Sequence, residues 1–281
     1  MKWENNIKKG SSICPESRTT ALSTGLTEFD QLSHGLQQST LYLIAARPAM
    51  GKRALALTLA RHIALDQKLP VVYFIPAISE KQLKQLILRA ESEIEPGIMK
   101  PDQLTKSNAK IYEDASRKVD TSPFYICTEY PLTTKIIRSS IEHLQRENPL
   151  KAVFIDYLQL ILDERQDRKP NTSYETITGE LKLVAEEYKV PVLLLTQLTR
   201  QLEQRENRRP VLKDLSAYGN IEERADVVLF IYRNNYYQNR IIPSEIAEIN
   251  IAKNLPGKTG YFKLIYLEQY SKFLNCSTLT P

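Results

Sequence analysis

The segment AARPAMGKRALALTLARHI, residues 45–63, has the composition of a phosphate-binding loop followed by an amphipathic helix. Such a loop needs a buried strand, a tight turn with inward-facing N–H groups, a lysine and the N-terminus of a helix. Leu41–Ala45 supplies the strand and Lys52 the lysine, and a helix is predicted to begin near Arg53. The segment therefore predicts a site for ATP or another nucleotide. The predicted contacts come from Ala46, Arg47, Pro48, Ala49, Met50, Gly51, Lys52 and Arg53.

The elements that must position this loop are visible as apolar runs that alternate with segments of helical periodicity. Continuous apolar strands between amphipathic helices predict an α/β fold, with a mainly parallel sheet that is covered on both faces. The last strands follow one another without helices, which predicts an antiparallel C-terminal edge. The predicted strands are Ser39–Ala46, Pro70–Ala77, Ser122–Thr128, Ala152–Ile161, Val190–Leu198, Arg224–Tyr232, Ile246–Lys253 and Gly260–Leu267. The predicted helices are Ala54–Leu65, a helix from Ser79 or Glu80 to Glu93, Thr133–Asn148 and Tyr174–Lys189.

The composition is that of a globular protein, with 281 residues of which 42% are hydrophobic and 25% charged. A net charge of +5 is compatible with nucleic acid binding but does not indicate it. Three cysteines, far apart in the sequence, show neither a metal-ligand spacing nor a disulfide framework, so a reducing cytoplasm is expected. There is no apolar run long enough to span a membrane. We expect a mobile arm or linker over residues 1–20, one core domain over 21–275 and a short tail over 276–281.

Five stretches together resemble the core of bacterial replicative DNA helicases, the DnaB family. They are STGLTEFDQLSHGLQQSTLYLIAARPAMGK, FIDYLQL, TQLTRQLEQRENRRP, DLSAYGNIEERADVVLFIYR and IAKNLPGKTG. Their order and spacing agree with the family from about residue 20 to 275. The resemblance implies a RecA-like P-loop ATPase core that forms hexameric rings around single-stranded DNA. The family also has alanine at the position of Ala46, where the general phosphate-loop pattern has glycine.

The resemblance carries four roles over to this sequence. Lys52 corresponds to the lysine that holds the β- and γ-phosphates, and Asp156 to the residue that holds Mg²⁺ through water. An aspartate at the end of an apolar strand otherwise needs a partner for its burial. Gln197 corresponds to the residue that senses the γ-phosphate, although a strand-end glutamine is equally compatible with anchoring a loop. Lys253 corresponds to a lysine that reaches the nucleotide of the neighbouring subunit.

Three departures from the family affect ATP hydrolysis. Arg53 replaces the threonine whose hydroxyl binds Mg²⁺ directly. Either Arg53 contacts the phosphates in place of the metal, or it points to solvent from a decayed site, and neither alternative provides Mg²⁺ with this direct ligand. Ala77 replaces the glutamate that activates the attacking water. Glu80, three residues further on, takes that role only if the correspondence with the family is shifted. Leu255 replaces the arginine finger.

The predicted DNA-contacting loop is also altered, because DLSAYG replaces the family's DLRESG and keeps only Gly219. The preceding segment retains its basic residues, and these fit either a non-specific grip on phosphates or a solvated loop equally well. The predicted DNA contacts are Arg200, Arg205, Arg208, Arg209, Lys213 and Gly219.

Three functions follow from these observations. The first is a catalytically degenerate, cytoplasmic DnaB-like protein of DNA replication, which keeps part of the ATP site and binds a partner such as a replicative helicase or replication factor, or its own copies in a ring. The second is an active ATP-dependent DNA helicase. The third is a nucleic-acid-binding module that uses no nucleotide. Single-stranded DNA is a candidate ligand in all three.

Overall fold

The computed structural model describes residues 21–99, 104–163, 170–237 and 245–276. The predicted arm, residues 1–20, lies outside the described residues, as does the tail beyond Cys276. Within the described part, one nine-stranded sheet has the strand order β11-β10-β9-β8-β1-β7-β5-β2-β3, and β4 and β6 form a separate pair. The strands are β1 (Leu41–Ala46), β2 (Val71–Phe74), β3 (Phe124–Cys127), β4 (Leu132–Thr133), β5 (Ala152–Ile155), β6 (Ile161–Leu162), β7 (Val192–Gln197), β8 (Val227–Tyr232), β9 (Glu245–Asn254), β10 (Gly260–Leu267) and β11 (Lys272–Asn275).

The pairing of the strands confirms the predicted fold class. All pairings from β3 across the sheet to β8 are parallel, while β8, β9, β10 and β11 pair in antiparallel fashion. The helices are α1 (Thr27–Ser33), α2 (Lys52–Arg61), α3 (Glu80–Ser92), α4 (Lys106–Asp120), α5 (Thr134–Glu147), α6 (Pro170–Tyr188), α7 (Ile221–Arg224) and α8 (Asn234–Tyr237). A turn of π-helix, His62–Asp66, continues α2.

Local capping defines where two of the predicted helices begin. The Ser79 hydroxyl accepts a hydrogen bond from the Gln82 N–H, and the Gln82 side chain accepts one from the Ser79 N–H, so a capping box opens α3. The Thr133 hydroxyl accepts from the Ile136 N–H at the start of α5. Both caps satisfy N–H groups that have no acceptor within the helix.

The central strands are buried on both faces, which explains why they are apolar throughout. Tyr42 and Ile44 of β1 pack with α2 on one face, while Leu41 and Leu43 pack with α5 and α6 on the other. Each fully buried side chain of this size contributes about 1.5–3 kcal/mol. The result is a rigid sheet whose strand ends hold the loops of the site.

Some predicted boundaries were wrong. The strand predicted over Ala152–Ile161 ends at Ile155, because the chain leaves the sheet at Asp156 and forms a 3₁₀ turn over Leu158–Leu160. The apolar residues beyond Ile155 cover the core instead of extending the strand. Similarly, β2 ends at Phe74 and β8 begins at Val227, after the short helix α7.

The sequence did not predict α1, α4 or β11. Helix α4 was not predicted because it has almost no apolar stripe: of its fifteen residues, only Ala115 and Val119 are buried. Strand β11 pairs with β10 after a tight turn, and it brings Phe273 against the phosphate loop.

Candidate nucleotide site

The phosphate loop connects β1 to α2 at the carboxyl ends of the parallel strands. Gly51 precedes α2 with φ +96°, a conformation that residues with a Cβ rarely adopt. A Cβ at this position would also lie 3.0 Å from Cζ of Phe273, so a larger residue would crowd the ring that β11 brings against the loop. The first N–H groups of α2, which have no acceptor within the helix, therefore face the loop.

Two buried arginines anchor the loop to the rest of the fold. Arg47 donates from Nε to Oε1 of Glu203 at 2.7 Å and from NH1 to the carbonyl of Leu198 at 2.8 Å. Arg233 donates from NH1 to the carbonyl of Ala49 at 2.7 Å and is paired with buried Glu245. The sequence did not predict the role of Arg233, because 184 residues separate it from Ala49.

A pocket of about 400 Å³ opens above the loop, within the size range of small-molecule sites. It brings together Lys52, Arg53, Asp156 and Gln197 with the loop residues Pro48, Ala49 and Gly51. It is also lined by Tyr157, Tyr266, Glu268 and Ser271, which sequence analysis did not identify as site residues.

Lys52 is the central cation of the pocket. Its Nζ lies 5.2 Å from the centroid of the Tyr157 ring, a distance compatible with a cation–π contact. Burial lowers the pKa of Lys52, and the nearby positive charges of Arg53 and Arg47 lower it further, while Asp156 opposes the shift. An anion in the pocket would restore the charge balance around this ammonium group.

Arg53 and Asp156 form an ion pair. Nε of Arg53 donates to Oδ2 of Asp156, whose side chain is 1% exposed, while the Arg53 side chain is 35% exposed in the pocket. Partial burial lowers the pKa of Arg53, but Asp156 outweighs it and the pKa ends raised. The second oxygen of Asp156, Oδ1, is shielded from solvent and has no hydrogen-bond partner among the described residues. The partner that the burial of Asp156 requires is therefore Arg53, and Arg53 does not simply point to solvent.

Other predicted phosphate-site residues contribute through their backbone or lie elsewhere. The side chains of Ala46 and Met50 are buried in the core. Lys253 lies outside this pocket: its Nζ donates to the carbonyls of Glu222 and Ala225 at 2.8 and 2.7 Å, at the C-terminus of α7.

Gln197 is half-buried at the end of β7 and is linked to the altered loop. Its carbonyl accepts a hydrogen bond from the Tyr218 hydroxyl, and its N–H donates to the side chain of Gln159 at 3.3 Å. The ring of Tyr218 packs edge-on against Tyr174, with centroids 5.5 Å apart. The backbone of Gln197 is thus an anchor for the loop, while its side chain lines the pocket.

The positions expected to hold the general base and the finger carry no charge. Ala77 is exposed and does not line the pocket. Glu80 begins α3 and pairs with Lys84 at 2.9 Å, away from the pocket lining. Leu255 is 69% exposed, just beyond the end of β9.

Several cations of the basic segment are paired with carboxylates. Arg205 contacts Asp214 at 2.8 Å, and Arg209 makes two hydrogen bonds to Glu248, at 2.6 and 2.7 Å. Arg208 is half-buried, while Arg200 and Lys213 are exposed. Gly219 has φ +80°, which suits a glycine at the end of the altered loop.

A mainly parallel sheet with a lysine-containing phosphate loop at its carboxyl edge is the architecture of P-loop nucleotide-binding proteins, the class that includes the RecA-like ATPase cores. The chain matches the family model of the DnaB-like helicase C terminal domain over residues 21–275. Replicative DNA helicase DnaC of Bacillus subtilis (strain 168) is 36% identical over 258 residues, which cover 91% of this chain and 57% of that protein. The chain therefore belongs to the DnaB-like helicase C-terminal domain family, and the family relationship implies nucleotide binding.

Two solved structures support this assignment, each with a TM-score of 0.87 and 30% sequence identity. One is a solved ATPase domain, with 93% of each chain covered. The other is the structure of a DnaB-like replicative helicase and its interactions with primase, where 92% of this chain matches 62% of that chain. The chain spans 57% and 58% of the length of the first two curated relatives that it matches. Among the described residues, no helix is both long and apolar enough to cross a bilayer.

Proposed function

We propose that this chain is a DnaB-like domain of DNA replication that binds a nucleotide but does not hydrolyse ATP efficiently, and that it acts by binding a protein partner. The observation that carries this proposal is the state of the carboxylates that line the pocket. Within the described residues these are Asp156 and Glu268. Asp156 is paired with Arg53, and Glu268 contacts Arg233 at 3.1 Å. Both carboxylates are thus paired with an arginine, and neither stands at the position where the family resemblance places the general base, which is Ala77 here.

The loss of a positioned general base typically costs about 10²–10⁴ in rate. An arginine finger is worth about 10³–10⁵ in kcat, and Leu255 has no charge to offer a neighbouring subunit. Such losses are not additive, but either one is enough to slow a motor severely. The hydrolytic function is therefore expected to be weak or absent.

Binding of a nucleotide is supported by the parts of the site that remain. Lys52, the N-terminus of α2 and the pocket of about 400 Å³ provide positive charge, N–H donors and room beside the phosphate loop. The braces from Arg47 and Arg233 hold the loop in shape before a ligand arrives. A pre-formed site of this kind reduces the entropy cost of binding.

Binding of a protein partner is supported by the surface near the C-terminal edge of the sheet. Leu255, just after β9, and Tyr261 of β10 are 69% and 70% exposed, and exposed side chains of this size are available for contacts with another protein. A solved relative is described with its interactions with primase. We infer a replicative helicase or a replication factor as the partner, with a ring of identical copies as the other arrangement.

An active helicase is the second candidate, because Lys52, Asp156 and Gln197 share one pocket. The nucleic-acid-binding module is favoured less, since Arg205 and Arg209 are neutralised by Asp214 and Glu248. Single-stranded DNA stays a candidate ligand through the exposed Arg200 and Lys213.

The experiment that tests the proposal measures nucleotide and partner binding in one series. Fluorescent ADP is titrated into the wild-type chain and into Lys52→Ala, which we expect to lose binding. The wild-type chain is then mixed with the Bacillus subtilis replicative helicase, and complex formation is followed by light scattering. Leu255→Ser is expected to weaken a complex and Lys258→Ser, an exposed control on the same turn, to leave it unchanged. Equal ADP affinity of wild type and Lys52→Ala would remove the nucleotide part of the proposal. The absence of both a mixed complex and self-association would remove the partner part.

A further inference from the structure

The ion pair between Arg53 and Asp156 fixes one edge of the guanidinium group. Within the described part of the chain, the Arg53 side chain makes one hydrogen bond, from Nε to Oδ2 of Asp156. The two terminal nitrogens make no hydrogen bond with the described residues and are not shielded from solvent. They are therefore accessible in the pocket, which Arg53 lines. A planar guanidinium held in this way presents two parallel N–H groups, the geometry that binds a phosphate through two hydrogen bonds.

We propose that Asp156 is a positioning residue for Arg53, and that Arg53 is a tethered cation which binds the phosphates of a nucleotide without a metal ion. This rests on the proposed function, in which the pocket holds a nucleotide. The ligand class is a nucleoside di- or triphosphate in its metal-free form.

A Mg²⁺ ion, which the family resemblance implies, does not fit the groups beside Arg53. Position 53 offers no hydroxyl ligand, and Oδ2 of Asp156 is already occupied by the guanidinium. The other oxygen of Asp156 is shielded from solvent, so a hydrated ion in the pocket does not reach it. Mg²⁺ prefers six oxygen ligands in octahedral geometry and keeps several waters, which demands space that the guanidinium group takes.

The charges lead to the same conclusion. Lys52 and Arg53 are both cations in a partly buried pocket, and Asp156 neutralises one of them. A divalent ion placed between them would be repelled by both side chains. A polyanion, by contrast, gains from both. Since Mg²⁺ in solution binds the same phosphates, it competes with Lys52 and Arg53 for them and is expected to add nothing to the affinity.

The test is a titration of fluorescent ADP into matched variants, once in EDTA and once in Mg²⁺. The wild-type chain is expected to bind in EDTA and to gain nothing from Mg²⁺. Arg53→Thr is expected to lose about tenfold in EDTA and to recover with Mg²⁺, because it frees Asp156 and restores a hydroxyl. Arg53→Lys keeps the charge without the paired N–H groups, and it is expected to bind more weakly than wild type in EDTA.

Two variants of Asp156 separate positioning from charge. Asp156→Asn keeps an oxygen that accepts from Arg53, so it is expected to bind ADP in EDTA at least as well as wild type. Asp156→Ala removes the same negative charge but releases Arg53, and it is expected to bind several-fold more weakly. Circular dichroism is used to check that each variant is folded. If Asp156→Ala does not fold, the Arg53 variants test the inference.

The outcomes distinguish this inference from the proposed function. A gain of about tenfold or more when Mg²⁺ is added to the wild-type chain, roughly 1.4 kcal/mol, overturns the inference and leaves nucleotide binding intact. Equal affinities for Asp156→Asn and Asp156→Ala overturn the positioning role. No binding of ADP to the wild-type chain in either buffer overturns the proposed nucleotide site itself, and the inference with it.

Discussion

Arg53 donates a hydrogen bond from Nε to Oδ2 of Asp156, a carboxylate that is 1% exposed at the end of β5. The two residues are 103 positions apart, and the fold places them together because α2 begins at the same sheet edge where β5 ends. The family resemblance implies that both positions would hold the same Mg²⁺ ion, position 53 through a hydroxyl group and position 156 through a carboxylate. In this chain the position that the resemblance assigns to the hydroxyl ligand carries the cation Arg53, which is paired with the carboxylate.

This pair predicts a specific pattern of stability. Arg53→Met should lower the free energy of unfolding by about 1–3 kcal/mol, because it leaves a buried carboxylate without its partner. The double variant Arg53→Met, Asp156→Asn should recover part of that loss, since it removes the uncompensated charge. Urea unfolding of the wild type, both single variants and the double variant measures the coupling. Additive effects of the two single changes would show that the pair contributes no interaction energy.

The shifted pKa of Lys52 predicts a pH dependence of nucleotide affinity. Burial lowers this pKa in the free chain, so the ammonium group loses its proton at a lower pH than an ordinary lysine does. Bound phosphates favour the charged form, and the affinity should therefore be flat at neutral pH and fall as the pH rises through the lowered pKa of Lys52. ADP titrations in EDTA between pH 7 and about pH 10 measure this.

Lys52→Arg is the matched control, because a guanidinium keeps its charge over this range. Its affinity should stay level at alkaline pH. The same decline in Lys52→Arg as in the wild type would assign the pH dependence to another group.

The carboxylates beside the basic segment predict how DNA binding responds to mutation. Glu248→Gln should increase the affinity for single-stranded DNA several-fold, because it releases the Arg209 guanidinium for phosphates. Lys213→Ala should weaken binding and reduce the salt dependence by about one ion. Fluorescence anisotropy at several salt concentrations measures both effects. A loss of affinity in Glu248→Gln would mean that the pair itself shapes the DNA-binding surface.

Much of the fold followed from the sequence, because the central strands are buried on both faces and therefore consist of apolar runs. The polar caps Ser79 and Thr133 also marked helix starts that the structure has. The length of β5 did not follow, since the apolar residues after Asp156 cover the core outside the sheet. Helix α4 could not be found from periodicity, because most of its residues face solvent.

The site was predictable only in part for a related reason. The loop residues are contiguous, so their pattern reveals them, and Lys52, Asp156 and Gln197 line the same pocket. The side-chain partners are set by tertiary packing over long sequence distances. The contact of Arg233 with the loop and the engagement of Lys253 with the carbonyls of α7 leave no local signal.

Stepwise repair predicts which missing parts matter. Arg53→Thr should restore dependence on Mg²⁺ without hydrolysis, since nothing yet activates water. Adding Ala77→Glu should give slow hydrolysis, and adding Leu255→Arg should raise it further only if subunits assemble, because the finger acts across an interface. ATP turnover per subunit, measured over a range of protein concentrations, follows each step. Hydrolysis by Arg53→Thr alone would indicate another general base, with Glu80 as the first residue to test.

The central claim is that the chain keeps a nucleotide site without efficient hydrolysis. Steady-state ATP turnover of the wild-type chain with Mg²⁺ and single-stranded DNA, compared with Lys52→Ala, tests it most directly. We predict the same background rate for both proteins, at least about 100-fold below the usual range of roughly 1–10³ per second. A wild-type turnover of about 1 per second or faster that Lys52→Ala abolishes would contradict this claim and identify the chain as a working ATPase.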